Sequence, residues 1–165
     1  KLIACTNIIA YIIEKFKEND KTITFAESCT GGLLGYTFIK EAGSSAIFKG
    51  SVISYADDIK KSWLEVDEES LKSYGAVSET VVRDMLFGAL KLSGADYAIA
   101  ISGVAGPSGG STTKPVGTVF VGAIKRDSRE IISHERFFGD RNYIQQQAVL
   151  RAIMLLMDVA QYDLK

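Results

Sequence analysis

Apolar residues recur at helical spacing near the start of the chain. Ile8, Ile9, Ile12, Ile13 and Phe16 fall on one face and predict an amphipathic helix. Asn19-Asp20 ends it, and the β-type run 22–26 predicts a strand. The period turns helical again from about Gly31 to Lys40, with a stop near Gly43. Residues 47–55 are β-branched and aromatic enough for a second strand, with Gly50 a candidate bulge. Asp57-Asp58 opens a short helix, because carboxylates favour a helix N-terminus. Ser78 caps a longer one whose inner face is Val81, Val82, Met85, Leu86, Ala89 and Leu90.

The second half alternates in the same way. Residues 96–102 have a continuously apolar centre, as expected of a strand covered on both faces. They run into a glycine-rich loop, 103–115. Residues 116–124 and 130–138 read as two further strands joined by a hairpin turn at 125–129. Asp140 opens a final helix through Ile144, Ala148, Ala152, Leu155, Leu156 and Val159. Interleaved strands and helices predict one α/β domain over 1–165, a three-layer α/β/α sandwich around a mixed, mostly parallel sheet.

Composition narrows the function classes. The net charge is −1 with acidic and basic residues interspersed, so no basic face is available for a nucleic acid. No apolar run reaches the ~18 residues of a membrane span. The start of the chain lacks a secretory pattern, and the expected location is the cytoplasm. Cys5 and Cys29, far apart, read as reduced thiols. The one histidine, His134, excludes a multi-histidine metal site, and no zinc-type ligand spacing is present.

The candidate chemistry gathers in four places. The run 25–32, Phe-Ala-Glu-Ser-Cys-Thr-Gly-Gly, puts hydroxyls, a thiol and glycines where a strand turns into a helix. Ligands of open α/β sheets collect at such turns, and the free N–H groups of a helix start attract anions. Gly43-Ser44-Ser45 precedes the second strand, Tyr55 ends it, and Lys60 lies one helical turn beyond. A serine nucleophile needs a base, which a desolvated lysine provides when neutral. A triad through His134 is the competing arrangement, though that residue sits in an alternating, half-exposed strand. The loop from Ser102 lets backbone N–H groups approach a ligand. It matches neither the Walker nor the dinucleotide pattern, and its Ser111-Thr112-Thr113-Lys114 is a chance match to Ser-x-x-Lys. Arg141, after Gly139-Asp140 at the last helix start, suits a phosphate. Cys29 lacks a histidine partner and reads as a buried thiol lining its turn.

These segments together resemble the CinA C-terminal family, the nicotinamide-nucleotide amidases. The matching runs are Ala-Glu-Ser-Cys-Thr-Gly-Gly (26–32), Gly-Ser-Ser-Ala (43–46), Tyr55 with Lys60, and Tyr-Gly-Ala-Val-Ser-Glu (74–79). Gly-Ala-Asp-Tyr-Ala (94–98), Ser-Gly-Val-Ala-Gly-Pro (102–107), Lys-Pro-Val-Gly (114–117) and Gly-Asp-Arg (139–141) follow in the family's order. Phe138 stands where the family often has proline, and Ser102 where it often has threonine; neither change removes a proposed catalytic group.

The resemblance implies metal-free, cofactor-free hydrolysis of the carboxamide of nicotinamide mononucleotide, giving nicotinate mononucleotide and ammonia in pyridine-nucleotide recycling. It implies Ser45 as nucleophile, Lys60 as general base and Tyr55 as its assistant. Ser28 is the alternative nucleophile, at the more conspicuous turn. Ser28, Thr30, Gly31, Ser102 and Gly103 are expected around the substrate, with Arg141 on its phosphate. Many family members carry a further N-terminal domain, which 165 residues leave no room for. A homodimer is the expected assembly, since two-fold oligomers are the commonest. The alternatives are a non-catalytic nucleotide-binding or regulatory module on the same fold, and an amidase for a different small amide.

Overall fold

Each change of hydrophobic period along the chain marks an element in the structure, a computed structural model that describes residues 6–165; Cys5 lies outside the described residues. In order come α1 (Thr6–Glu18), β1 (Ile23–Glu27), α2 (Leu33–Ile39), a 3-10 turn (Ser44–Ala46), β2 (Phe48–Ile53) and α3 (Asp57–Leu64). Then follow α4 (Glu68–Tyr74), α5 (Glu79–Ser93), β3 (Tyr97–Gly103), β4 (Thr118–Lys125), β5 (Ile131–Arg136) and α6 (Arg141–Val159). Side chains start the long helices as their sequences imply. Ser78 Oγ accepts from Val81 N at 3.3 Å, and Asp140 Oδ1 from Tyr143 N at 2.8 Å. The sequence pattern missed α4. It buries no residue, so it shows no apolar stripe, and Asp67 caps it by accepting from Ser70 N.

The strands form one sheet in the order β2-β1-β3-β4-β5. β1 runs parallel to β2 and β3, while β3–β4 and β4–β5 are antiparallel. The sheet is mixed, as expected, but its parallel pairings equal rather than outnumber the antiparallel ones. A parallel return needs a crossover helix, and residues 104–117 form none, so β4 comes back antiparallel.

Two apolar clusters cover the sheet. On one face α1, α2 and α6 bury Ile12, Phe16, Phe38, Ile144, Ala152 and Leu156 against Phe25, Ile99 and Val121. On the other, Val82, Met85, Leu86 and Ala89 of α5 pack on Ala26, Ala98, Ala100 and Phe120. This second face is lined with small residues, which brings α5 close. A Cβ on Gly122 would lie 2.9 Å from both Leu86 Cδ1 and Val82 Cγ1. The three-layer α/β/α sandwich follows from helices on both faces.

α3 is held just as tightly. A Cβ on Gly88 of α5 would fall 2.0 Å from the Leu64 carbonyl oxygen at the end of α3. Gly88→Ala therefore forces the two helices apart, and a loss of about 2 kcal/mol is expected in denaturant unfolding. Because α3 carries Lys60, activity should fall with it. A variant as stable as the parent would show that α3 shifts freely.

Candidate active site

Parallel strands end at the same edge of a sheet. Here the C-terminal ends of β2, β1 and β3 stand side by side, and the chain leaves β1 for β2 on one side and reaches β3 on the other. That reversal of strand order opens a crevice at the strand ends. Ser28 follows β1, Ser54 and Tyr55 follow β2, and Ser102 and Gly103 finish β3. β4 begins and β5 ends at this edge too, Thr118 pairing with Arg136, which delivers Arg141 to it at the start of α6.

A cleft of about 310 Å³ occupies this edge. Ser28, Tyr55, Lys60, Ser102, Gly103 and Arg141 all line it, together with Cys29 and Asp57. Its other walls are the connection between α4 and α5 and the glycine-rich loop. Ser102 Oγ donates to Ala76 O at 2.8 Å and so ties β3 to that connection. Arg141 spans the opening: Nη1 donates to Gly106 O at 2.6 Å, and Nη2 lies 3.4 Å from the Tyr55 hydroxyl.

The central feature is Lys60, whose side chain turns inward from the first turns of α3 and is only 1% exposed. Its Nζ lies 2.8 Å from Ser54 O, 2.9 Å from Tyr55 O and 3.0 Å from Ser28 Oγ. Burial lowers its pKa from the ordinary lysine value, while the Asp57 carboxylate pulls the other way. A neutral amine has two N–H groups and one lone pair. The two carbonyls take the N–H groups, and the lone pair then faces the Ser28 hydroxyl. Ser28 itself is 7% exposed, at the floor of the cleft.

The turn after Ser28 is rich in donors. Gly31 N donates to Ser28 O and Leu33 N to Thr30 O, whereas the N–H groups of Cys29 and Thr30 donate to no other described residue, the Cys29 N–H facing its own thiol. Gln145 Nε2 on α6 donates to Cys29 O at 2.8 Å and pins the turn from the far side. Burial pushes the Cys29 thiol up to about 12, so it is protonated at neutral pH.

Three sequence expectations are corrected. Ser45 does not meet Lys60. It lies in the 3-10 turn before β2, at the opposite edge of the sheet, exposed to solvent. The six residues of β2 put it roughly 20 Å from the strand end that carries Tyr55. Thr30 does not face the cleft: it is buried and its hydroxyl donates to Glu27 Oε1 at 2.8 Å. Gly31 is absent from the cleft wall as well; with φ +56° it serves the turn. Gly103 lines the cleft, yet glycine is required there by β4, since a Cβ would fall 2.7 Å from Val119 Cγ2 and 2.9 Å from Thr118 O.

His134 stacks on Phe120 from the outer strand β5, with ring centroids 4.3 Å apart, and β3 and β4 lie between it and β1. Sequence reasoning also missed two groups. One is Asp57, which the sequence marks as a helix-starting residue; its position three before Lys60 puts both on one helix face. The other is Glu27, a carboxylate that closes a fully buried strand. Among the described residues no group of three or more His, Cys, Asp or Glu side chains stands close enough to hold a metal ion. No helix among them is long and apolar enough to cross a membrane.

Comparison with known proteins places these features in a family. The CinA C-terminal domain model matches residues 6–160. A CinA-like protein of Thermotoga neapolitana is 45% identical over 142 residues, covering 86% of this chain and 34% of that protein. The chain thus spans about a third of the length of such relatives. The nicotinamide-nucleotide amidohydrolase PncC of Escherichia coli K12 is 44% identical over 143 residues, 87% of each chain. Among solved structures, the competence/damage inducible protein CihA of Agrobacterium tumefaciens superposes with a TM-score of 0.92 at 35% identity, over 94% of this chain and 95% of that one. The chain belongs to the CinA C-terminal domain family.

Proposed function

We propose that this chain is an amidohydrolase that converts nicotinamide mononucleotide to nicotinate mononucleotide and ammonia, with Ser28 as nucleophile and Lys60 as its base. The observation that carries this reading is the 3.0 Å approach of Lys60 Nζ to Ser28 Oγ beside an open cleft. The amidohydrolase relatives at 44–46% identity over most of their length support the substrate.

The reaction follows from the geometry. Ser28 Oγ attacks the carboxamide carbon while its proton passes to the Lys60 lone pair. The carbonyl oxygen becomes an oxyanion, received by the N–H groups of Cys29 and Thr30, which bond no other described residue. The tetrahedral adduct collapses, the C–N bond breaks, and Lys60 returns the proton to the leaving nitrogen as ammonia departs. A water then attacks the Ser28 ester, giving its proton to Lys60, and the carboxylate leaves as Ser28 regains its hydrogen. No step requires a metal or cofactor.

The remaining cleft residues suit the rest of the substrate. Arg141 uses part of its fork on Gly106 O and has further N–H groups for a phosphate. The Tyr55 hydroxyl, next to Arg141, assists at the mouth, and Ser102 Oγ retains lone pairs for the carboxamide N–H₂. The substrate's pyridinium, close to Lys60, favours the neutral amine. The acting form in this reading is a cytoplasmic homodimer that needs no nucleic acid.

Incubating the purified chain with nicotinamide mononucleotide, without added metal, should give nicotinate mononucleotide and ammonia in equal amounts. Binding without turnover would instead favour a nucleotide-binding module. Ser28→Ala should lower kcat by roughly 10⁴-fold or more. Ser45→Ala, at the far edge, should leave turnover near the parent's; the reverse pattern would overturn the assignment.

The pH profile gives an independent check. Lys60 acts as base only when neutral, so kcat/KM should rise with pH and level off above the lysine pKa. That pKa is lowered by burial, so the plateau should begin below the ordinary 10.5. Lys60→Met should be nearly inactive, and its residual rate should lose this limb. A limb unchanged by the substitution would exclude Lys60 as its source.

A further inference from the structure

Glu27 is the last residue of β1, immediately before Ser28, and its side chain is fully buried. Four donors converge on its carboxylate. Thr30 Oγ1 lies 2.8 Å and Leu34 N 2.9 Å away, while Gly35 N and Ser51 Oγ lie at 3.0 and 2.6 Å. No lysine or arginine pairs with it among the described residues. Its charge is answered instead by two orphan N–H groups in the first turn of α2. The helix needs them satisfied, since its own N-cap, Gly32, makes no side-chain bond. The approach is close: a Cβ on Gly35 would lie 3.3 Å from Glu27 Oε2.

The same residue also reaches the base. Its backbone carbonyl accepts from Ser54 N at 2.8 Å, and Ser54 supplies one of the two carbonyls that hold Lys60. Glu27 thus grips both ends of the 28–32 turn through its side chain and the β2 end through its main chain.

We propose that Glu27 is a positioning residue for the amidase reaction, clamping the turn so that Ser28 Oγ stays against Lys60 and the Cys29 and Thr30 N–H groups stay aimed at the oxyanion. This rests on the amidase reading above. The oxyanion exists only after attack, so a loosened turn raises the barrier without weakening ground-state binding. The groups proposed to hold the phosphate stand on α6, outside the clamp.

The test compares Glu27→Gln with the parent in the nicotinamide mononucleotide assay. The amide keeps the volume but turns an –NH₂ toward a ring of donors. We expect kcat to fall about 10²-fold. KM, and the dissociation constant for nicotinate mononucleotide by calorimetry, should stay within about twofold. Ser51→Ala removes one donor and leaves α2 untouched; it should give a smaller loss, again in kcat alone. An unchanged kcat, or a loss carried by KM and product affinity, overturns the proposal. If a thermal scan shows that Glu27→Gln does not fold, Ser51→Ala decides, and an unaffected kcat there overturns it. A parent that makes no product overturns the amidase reading and this proposal with it. An active parent with indifferent variants overturns the Glu27 role alone.

Discussion

One buried nitrogen, Lys60 Nζ, holds the site together. An ammonium removed from water loses several kcal/mol of hydration, which a carboxylate partner normally offsets. Here the hydrogen-bonding partners are two carbonyls and a hydroxyl. That set can accept every N–H of either form but supplies no countercharge in contact, so the burial cost falls on the ammonium. The protein therefore destabilises the charged form at the residue proposed as the base. It pays for this with tight packing around α3, visible in the contact between Gly88 and the Leu64 carbonyl. Asp57 limits the effect from the cleft side, keeping the lysine's basicity from dropping as far as burial alone would take it.

The parallel half of the sheet makes this contact available. Ser28 and the Ser54–Tyr55 carbonyls belong to different strands, yet they come within 3 Å of one nitrogen because β1 and β2 run the same way and end in register, Glu27 opposite Ile53. In an antiparallel pair the two segments would leave from opposite edges. The antiparallel half has the complementary role. Its β3–β4–β5 meander returns the chain to the same edge, so that α6 starts there with Arg141 and Gln145 one helical turn apart on one face. One residue then reaches the glycine-rich loop and the other the Cys29 carbonyl.

The layered fold was legible because long stripes such as Val81 to Leu90 and Ile144 to Val159 declare their periods. Cleft residues were legible where they stand at or just past the end of a strand, as Ser28, Tyr55, Ser102 and Gly103 do, or at a helix start, as Arg141 does; all reach the crevice. Ser45 stands away from Lys60 for a topological reason. Ser45 lies nearer to Lys60 in sequence, but a whole strand separates Ser45 from Tyr55, and a strand carries the chain across the sheet. Ser28 is 32 residues from Lys60 and touches it. The rule that ligands gather at the carboxyl ends of parallel strands separates the two serines once strand direction is known. Thr30 shows another limit. A hydroxyl in a conspicuous motif pointed to substrate, whereas its partner is the carboxylate three residues earlier, and periodicity does not report which way a turn side chain faces.

The charges around the cleft suggest why this scaffold suits a substrate carrying both signs. Lys60, Arg141 and Asp57 all lie on its walls. An empty cleft with two cations would favour any small anion. Depressing the charge of one of them makes the field uneven: the persistent positive charge is Arg141, while the floor is close to neutral when Lys60 is unprotonated. For the proposed substrate, the phosphate is then drawn to the Arg141 end, leaving its cationic ring for the floor, where it further opposes protonation of the lysine. In the proposed mechanism, binding in that orientation and readiness of Lys60 as base reinforce each other, and the reversed orientation, phosphate toward Lys60, would stabilise a protonated amine unable to accept the Ser28 proton.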